Sequence, residues 1–273
     1  MSHPTVTPFP IINSRLRPFI KRICLVENTL ASPLTQQVPP IGAIGLTFIL
    51  KKGIELYIDG QNIPLNKRSY IIGHVTREGI SVIHEGEVAQ MVIDFTPTGF
   101  YRMFKKNCRT FNNRLGDFSE IDAKPLEVAL ENSSYDHKEI HKIFEDYLSS
   151  KIESALPEVP FVEEALALMH QNLLENHRIE DISNKVGIGQ RHLSRMFTKT
   201  VGISPKKFFR TLQWNHIMTI ISMNQKDSMT KLALACGFYD QPSFTNEFKR
   251  FMQIPPRKFI NGRLQLAQLM LKE

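Results

Sequence analysis

The sequence predicts a two-domain α+β protein, with an antiparallel β-barrel domain that also carries helices followed by an all-α domain. Three observations lead to this fold class. The first half of the chain holds short runs of β-branched and aromatic residues separated by turn signals. Beyond residue 158 the apolar residues recur at helical spacing instead. Within that helical half one sequence pattern occurs twice, and the total length of 273 residues suits two domains.

The predicted strands are short and closely spaced, which is typical of an antiparallel sandwich or small barrel. Glycine-containing turn signals at Gly53, Gly60 and Gly86 separate several of them. The predicted strands are residues 44–50, 54–58, 70–73, 80–84 and 88–95.

Helical spacing begins after Pro97, with a basic stretch over residues 100–107 and a longer helix over 135–152. The longer helix carries one apolar stripe, which either packs against its own barrel or forms a homodimer interface. Pro157 and Pro160 then interrupt the chain. We therefore predict domains at 1–155 and 156–273.

Composition excludes several classes of protein. Cys24, Cys108 and Cys236 are too few and too scattered for a disulfide framework or a structural zinc site. The longest uncharged apolar-rich stretch, residues 41–50, is half the length of a membrane span, and the amino terminus lacks the pattern of an export signal. The sequence predicts a cytoplasmic protein without a membrane partner.

Charge is distributed unevenly along the chain. The formal net charge is +7, from 34 Lys and Arg against 27 Asp and Glu. Residues 1–157 hold 18 basic and 17 acidic residues, a net +1, whereas residues 178–263 hold 15 and 5, a net +10. The excess in the second segment indicates a polyanionic partner there.

The repeat lies within this basic segment. Residues 179–188 align with 229–238 at an offset of 50, and 193–208 align with 244–259 at an offset of 51. Each copy predicts a short helix, a turn at Gly187 or Gly237, and a second helix. Gly189 and Asp240 are predicted N-caps of the second helices, and Ser228 is the predicted N-cap of the first helix of copy two.

A short helix, a glycine turn and a second helix form a helix-turn-helix, whose second helix enters the major groove of DNA. The helix over 204–223, between the two copies, is about 30 Å long, which is close to the ~34 Å of one DNA turn. The two second helices are therefore predicted to occupy successive major grooves on one face of double-stranded DNA.

Residues 161–263 resemble the DNA-binding domain of the AraC/XylS family of transcription regulators, and residues 237–259 resemble that family's signature. The resemblance implies a seven-helix domain with two helix-turn-helix units joined by a long helix, a sensing domain attached to it, and RNA polymerase as a partner. Asn246 stands where the family often has a basic residue, and Pro242 offers a base no side-chain hydrogen bond.

The predicted DNA-binding residues follow from position in the two second helices. Arg191 and Arg195 are expected to bind guanine, and Lys249 and Arg250 to contact phosphates. The full predicted set is Gln190, Arg191, Ser194, Arg195, Gln241, Pro242, Asn246, Lys249 and Arg250.

The first half resembles, through residues 94–104, the divergent cupin-like β-barrel sensing domain found ahead of such regulators. No known ligand comes with this resemblance. Because barrel mouths hold small molecules in general, we expect a small-molecule effector. The alternative is a protein-partner or oligomerisation module without a small ligand.

Several other residues have a structural role in this prediction. Phe197, Phe244 and Phe248 are predicted core residues and not stacking platforms, because they are in register with Leu193 and the turn glycine. His74 and His84 are predicted to lie in turns or at the surface, because their spacing in the sequence does not match that of metal ligands. No catalytic, metal or cofactor residues are predicted. The sequence therefore predicts a sequence-specific DNA-binding transcription activator that is not an enzyme.

Overall fold

The computed structural model describes residues 5–38, 40, 42–76, 80–171, 173, 178–224, 227–252 and 254–261. Its amino-terminal part is built on a single antiparallel sheet in the order β1-β2-β6-β3-β5-β7, with β4 paired to β3. This hydrogen-bonded order is an open path, not a closed ring, among the described residues. The strands are β1 Thr5–Phe9, β2 Ile20–Gln37, β3 Gly45–Ile58, β4 Gln61–Ile63, β5 Ser69–Ile72, β6 Ile80–Phe95 and β7 Leu115–Gly116.

Two strands are longer than the short runs predicted from the sequence, because β3 and β6 each join two of those runs. Gly53 and Gly86 are not turns, because β3 and β6 each run on through them. The β3–β6 register shifts between Lys52 and Ile54, and a Cβ at Gly53 would lie 2.1 Å from the carbonyl oxygen of Glu85. Gly53 therefore marks an irregularity where backbones approach closely, whereas Gly86 has a φ of +64° and open space where a Cβ would lie. Gly60 is the predicted turn, with a φ of +78°.

Three helices cover one face of this sheet: α1 Gly99–Phe104, α2 Lys124–Glu131 and α3 His137–Lys151. The apolar stripe of α3 lies in the core of the same domain, where Ile140, Phe144 and Leu148 are fully buried beside Phe48 and Phe100. The stripe therefore packs against its own domain, which was the first of the two alternatives, and not in a homodimer interface.

Seven helices follow in the described part, and they confirm the all-α half of the predicted class. They are α4 Pro160–Gln171, α5 Ile179–Val186, α6 Gln190–Thr200, α7 Pro205–Met223, α8 Met229–Ala235, α9 Gln241–Met252 and α10 Pro256–Asn261. No helix in the described ranges is both long enough and apolar enough to cross a bilayer.

Helix α7 belongs to two cores. Phe208 and Phe209, near its start, pack with α4, α5 and α6, whereas Trp214 and Met218 pack with α8, α9 and α10. The Trp214 ring stacks on Phe251 with centroids 5.0 Å apart. Because both cores share one continuous helix, packing fixes the separation of the two helical units.

Candidate nucleic-acid interface

The two helical pairs, α5–α6 and α8–α9, have the same turn. The Ile188 amide donates to the Ser183 carbonyl at 3.1 Å, and the Phe238 amide donates to the Ala233 carbonyl at 3.0 Å. Gly187 and Gly237 take φ values of +77° and +80°. This is the left-handed helix ending that favours glycine, so the offset repeat in the sequence corresponds to one repeated backbone geometry.

The caps of the second pair also occupy the predicted positions. Asp240 accepts a hydrogen bond through Oδ1 from the Ser243 amide at 2.8 Å, at the start of α9. The Ser243 hydroxyl and, after it, this amide lower the pKa of the Asp240 carboxyl, since hydrogen bonds to the carboxylate favour the charged form. Ser228 accepts from the Lys231 amide at 3.3 Å and caps α8.

Core packing determines which face of each second helix is exposed. Leu193 and Phe197 of α6 are fully buried, as are Phe244 and Phe248 of α9. These phenylalanines are core residues, which confirms their predicted role. The opposite faces of α6 and α9 remain open to solvent.

The predicted DNA-binding residues lie on those open faces. On α6, Arg191 and Arg195 are exposed one turn apart, and Ser194 between them is half-buried. Residues four apart lie on the same side of a helix, so the two guanidinium groups can reach the same groove. The residues of the set that are exposed are Gln190, Arg191, Arg195, Gln241, Pro242, Asn246, Lys249 and Arg250.

On α9, two of the predicted residues have partners within the protein. The Thr230 hydroxyl donates to Gln241 Oε1 at 3.2 Å, which draws the Gln241 side chain towards α8. Arg250 forms an ion pair with Glu247 at 3.0 Å, and Glu247 also binds Arg210 of α7. Glu247 therefore fixes α9 against α7.

The separation of α6 and α9 is set by α7, whose 19 residues correspond to about 28 Å of helix. One turn of B-DNA is about 34 Å, so the helix length is comparable to the distance between successive major grooves on one face.

Tyr239 is an exposed residue that the sequence reasoning did not assign. It is the extra residue that changes the repeat offset from 50 to 51, and it lies in the turn just before α9 with 94% of its surface exposed. The sequence does carry a signal for Tyr239, because the turn of the second copy contains one aromatic residue more than the turn of the first.

The predicted turn and surface roles of His74 and His84 are wrong, because both side chains are buried. Burial lowers the pKa of His74 to about 4 and also lowers that of His84, since it disfavours the charged imidazole. Among the described residues, no group of three His, Cys, Asp or Glu side chains is arranged to hold a metal ion.

Comparisons with known proteins agree with this geometry. A helix-turn-helix domain family matches residues 182–262, and a domain family of unknown function matches residues 13–117. The multiple antibiotic resistance protein MarA of Escherichia coli is 31% identical over 100 residues, which are 36% of this chain and 76% of MarA. The chain belongs to the AraC family.

A second relative in the AraC family is the regulator GbdR of Pseudomonas aeruginosa, 29% identical over 104 residues. The match covers 38% of this chain and 28% of GbdR, so the chain spans under a third of that relative's length.

Among solved structures, an apo variant of ToxT from Vibrio cholerae superposes with a TM-score of 0.50 at 13% identity. The superposition covers 88% of this chain and 97% of ToxT, and it confirms the two-domain fold of this AraC-family chain.

Proposed function

We propose that this protein is a sequence-specific DNA-binding transcription regulator, and an activator, that places α6 and α9 in successive major grooves. The observation that carries the proposal is the repeated helix-turn-helix geometry on one shared helix, α7. Membership of the AraC family supports it, as does the net +10 of residues 178–263.

In this proposal the residues divide into base readers and phosphate contacts. Arg191 and Arg195 bind the guanine edge, and Ser194 and Gln190 contact the same groove. On α9 the base contacts come from Asn246, Gln241 and the apolar ring of Pro242. Lys249 and Arg250 contact phosphates, which position the helix without reading sequence.

The amino-terminal domain, residues 1–155, senses a small-molecule effector and signals to residues 156–273. Direct contact between the two parts supports this role. Thr98 at the start of α1 is hydrogen-bonded to Glu163 of α4, and the Lys199 ammonium of α6 lies 5.6 Å from the centroid of the Tyr101 ring. RNA polymerase is the proposed partner of the DNA-bound protein, and no catalytic activity is proposed.

Selection of bound sequences from random duplex DNA, with the full chain, tests the DNA-binding proposal. We expect two conserved half-sites, one helical turn apart, and an affinity for the selected duplex at least 10³-fold above that for random duplex. Enrichment of no sequence over the starting pool would reject sequence-specific binding.

A thermal-shift screen of the full chain against a metabolite panel tests the effector role. A ligand that binds only the folded protein must raise its melting temperature in a saturable way. A panel without any such compound, together with a change of oligomeric state or a protein partner retained by residues 1–155, would favour the interaction module instead.

A further inference from the structure

Three consecutive carbonyls at the end of α6 accept hydrogen bonds from three side chains of the amino-terminal domain. Cys108 Sγ donates to the Thr200 oxygen at 3.0 Å, and His74 Nε2 donates to the Val201 oxygen at 2.6 Å. Asn112 Nδ2 donates to the Gly202 oxygen at 2.8 Å. The end of the first recognition helix is thus held by residues 90 or more positions away in the sequence.

A helix leaves its last carbonyls without partners inside the helix, and those of α6 are buried with Thr200, Val201 and Gly202. Buried carbonyls need a hydrogen-bond partner, because water cannot reach them. In α6 the partners come from the other domain. The amino-terminal domain therefore supplies the C-terminal cap of this helix.

All three donors are neutral, which suits a buried site. Burial holds the pKa of His74 near 4 and raises that of the Cys108 thiol, so the ring and the thiol are both uncharged at neutral pH. A neutral imidazole has a single N–H, which is on Nε2 here because the Val201 carbonyl can only accept. These three hydrogen bonds to the end of α6 thus depend on geometry and not on charge attraction.

The contact is specific to the first unit. Gly202 has a φ of +108°, and a Cβ there would lie 2.9 Å from His74 Cδ2 and 3.2 Å from Cys108 Cβ. At the offset of 51 the residue equivalent to Gly202 is Gln253, so the second copy lacks the glycine that permits this approach. The close approach therefore has a sequence requirement that only α6 meets.

We propose that His74, Cys108 and Asn112 are positioning residues for DNA recognition: by capping α6 they let the amino-terminal domain set the position of the first recognition helix. The proposal rests on the function proposed above. The capped end is about 9 Å along the axis from Arg195 and about 15 Å from Arg191, so the contact leaves the base-reading end open. Displacement of the 3₁₀ turn Cys108–Phe111 would move the cap and, with it, the end of α6 that the cap holds.

Asn112→Ala in the full chain tests the cap directly. Asn112 Oδ1 has no hydrogen-bond partner in the described part of the chain, so the substitution removes the bond to Gly202 without breaking another at that oxygen. We expect amide hydrogen exchange at Val201 and Gly202 to become about fivefold faster, the equivalent of one neutral hydrogen bond, with no change in α9.

Asn113→Gly is the matched control. Asn113 binds Thr76 through both side-chain atoms, at 2.7 and 2.8 Å, within the amino-terminal domain. Its φ of +56° suits glycine. The control disturbs the same loop without touching α6, so exchange at Val201 and Gly202 should match that of the wild type.

The DNA arm uses the duplex selected by the wild-type chain, with base substitutions in one half-site at a time. In the half-site read by Arg195, Asn112→Ala should lower the preference for the selected bases over the substituted ones about fivefold. The preference in the other half-site should be unaffected. Unchanged exchange at Val201 and Gly202 overturns the cap. If exchange becomes faster but the preference for the selected bases changes equally in both half-sites, the positioning role is overturned. If the wild-type chain selects no sequence, the proposed function fails, while the exchange measurement still decides the cap.

Discussion

Arg195 and Lys249 are both exposed cations on second helices, but they lie at different points along those helices. Arg195 is in the middle of α6, whereas Lys249 is in the last turn of α9. The start of a recognition helix faces the base edges, and its end approaches the backbone. We therefore propose base readout for Arg195 and phosphate contact for Lys249.

Arg195→Ala is expected to relax preference at one base pair by about 1–3 kcal/mol, because a bidentate contact to guanine is lost. Lys249→Ala should weaken binding to all sequences alike and lower the slope of log affinity against log salt by about 1. Titration of selected and random duplexes at several salt concentrations measures both quantities. Equal losses on both duplexes for both variants would contradict the assignment.

Tyr239 is a second exposed residue that we expect to contribute to DNA binding. Its exposed ring precedes α9, so we expect it to contact the DNA backbone or a thymine methyl group. Tyr239→Ala should weaken binding to the selected duplex about threefold to tenfold, which corresponds to roughly 1 kcal/mol. Tyr239→Phe separates the causes, since it keeps the ring and removes the hydroxyl. Wild-type affinity in Tyr239→Ala would exclude Tyr239 from the interface.

His74 makes stability depend on pH. Burial lowers its pKa to about 4 in the folded chain, from the ordinary 6.5 of an exposed histidine. Between these values the unfolded chain binds the proton and the folded chain does not. The free energy of unfolding should therefore fall as pH drops from 6.5 towards 4, by up to about 1.4 kcal/mol per pH unit.

His74→Gln retains an N–H donor and does not titrate, so it is the control for this pH dependence. Urea unfolding at pH 7, 6, 5 and 4 gives the comparison, and the difference between the wild-type and variant slopes isolates His74 from His84, whose pKa is also lowered. Parallel slopes would show that His74 does not titrate in this range.

At the scale of elements, glycine at the end of a helix serves two different purposes. Gly187 ends α5 with open space around its Cα, whereas Gly202 follows α6 and faces His74 and Cys108. Gly187→Ala should cost about 1 kcal/mol, the strain of an L-residue in the left-handed region. Gly202→Ala should cost about 2–4 kcal/mol, because overpacking adds to that strain.

Urea unfolding of both variants measures this difference as shifts in midpoint at constant m-value. Equal shifts would show that the contact between α6 and the amino-terminal domain yields to a methyl group. A larger shift for Gly202→Ala would show that the contact is rigidly packed.

The helical elements were predictable because their signals are local. Helix α7 runs over Pro205–Met223 and was predicted over 204–223, and the two turns follow from Gly187 and Gly237. The sheet was less predictable. Strand β2, Ile20–Gln37, was not predicted, and β3 and β6 continue through glycines that resemble turn signals. Pairing between distant strands decides these cases, and a single sequence does not show it.

The same distinction applies to the candidate site. The exposed residues of α6 and α9 follow from helical periodicity and the repeat, so their placement could be predicted. The cap of α6 could not, because His74, Cys108 and Asn112 are 90 to 127 residues from the carbonyls that they bind. Each resembles an ordinary loop residue in the sequence. Their common role is visible only when the two parts of the chain are packed together.

At the scale of the whole molecule, α7 belongs to both helical cores and so makes the two DNA-reading units one body. The Arg210–Glu247 ion pair adds a further link between α7 and α9. A rigid body built on one helix of about 28 Å fits one spacing of half-sites only. Two units joined by a flexible linker would instead tolerate several spacings.

Insertions between the two half-sites of the selected duplex test this rigidity. Five added base pairs rotate the second half-site by about half a turn, and ten restore its face but move it by about 34 Å. Because α7 cannot extend, both insertions should lower affinity at least tenfold, to the level of a duplex with one half-site. Fluorescence anisotropy with the full chain measures the series. Recovery with ten base pairs would contradict binding of both half-sites by one chain and indicate that two chains each occupy one half-site.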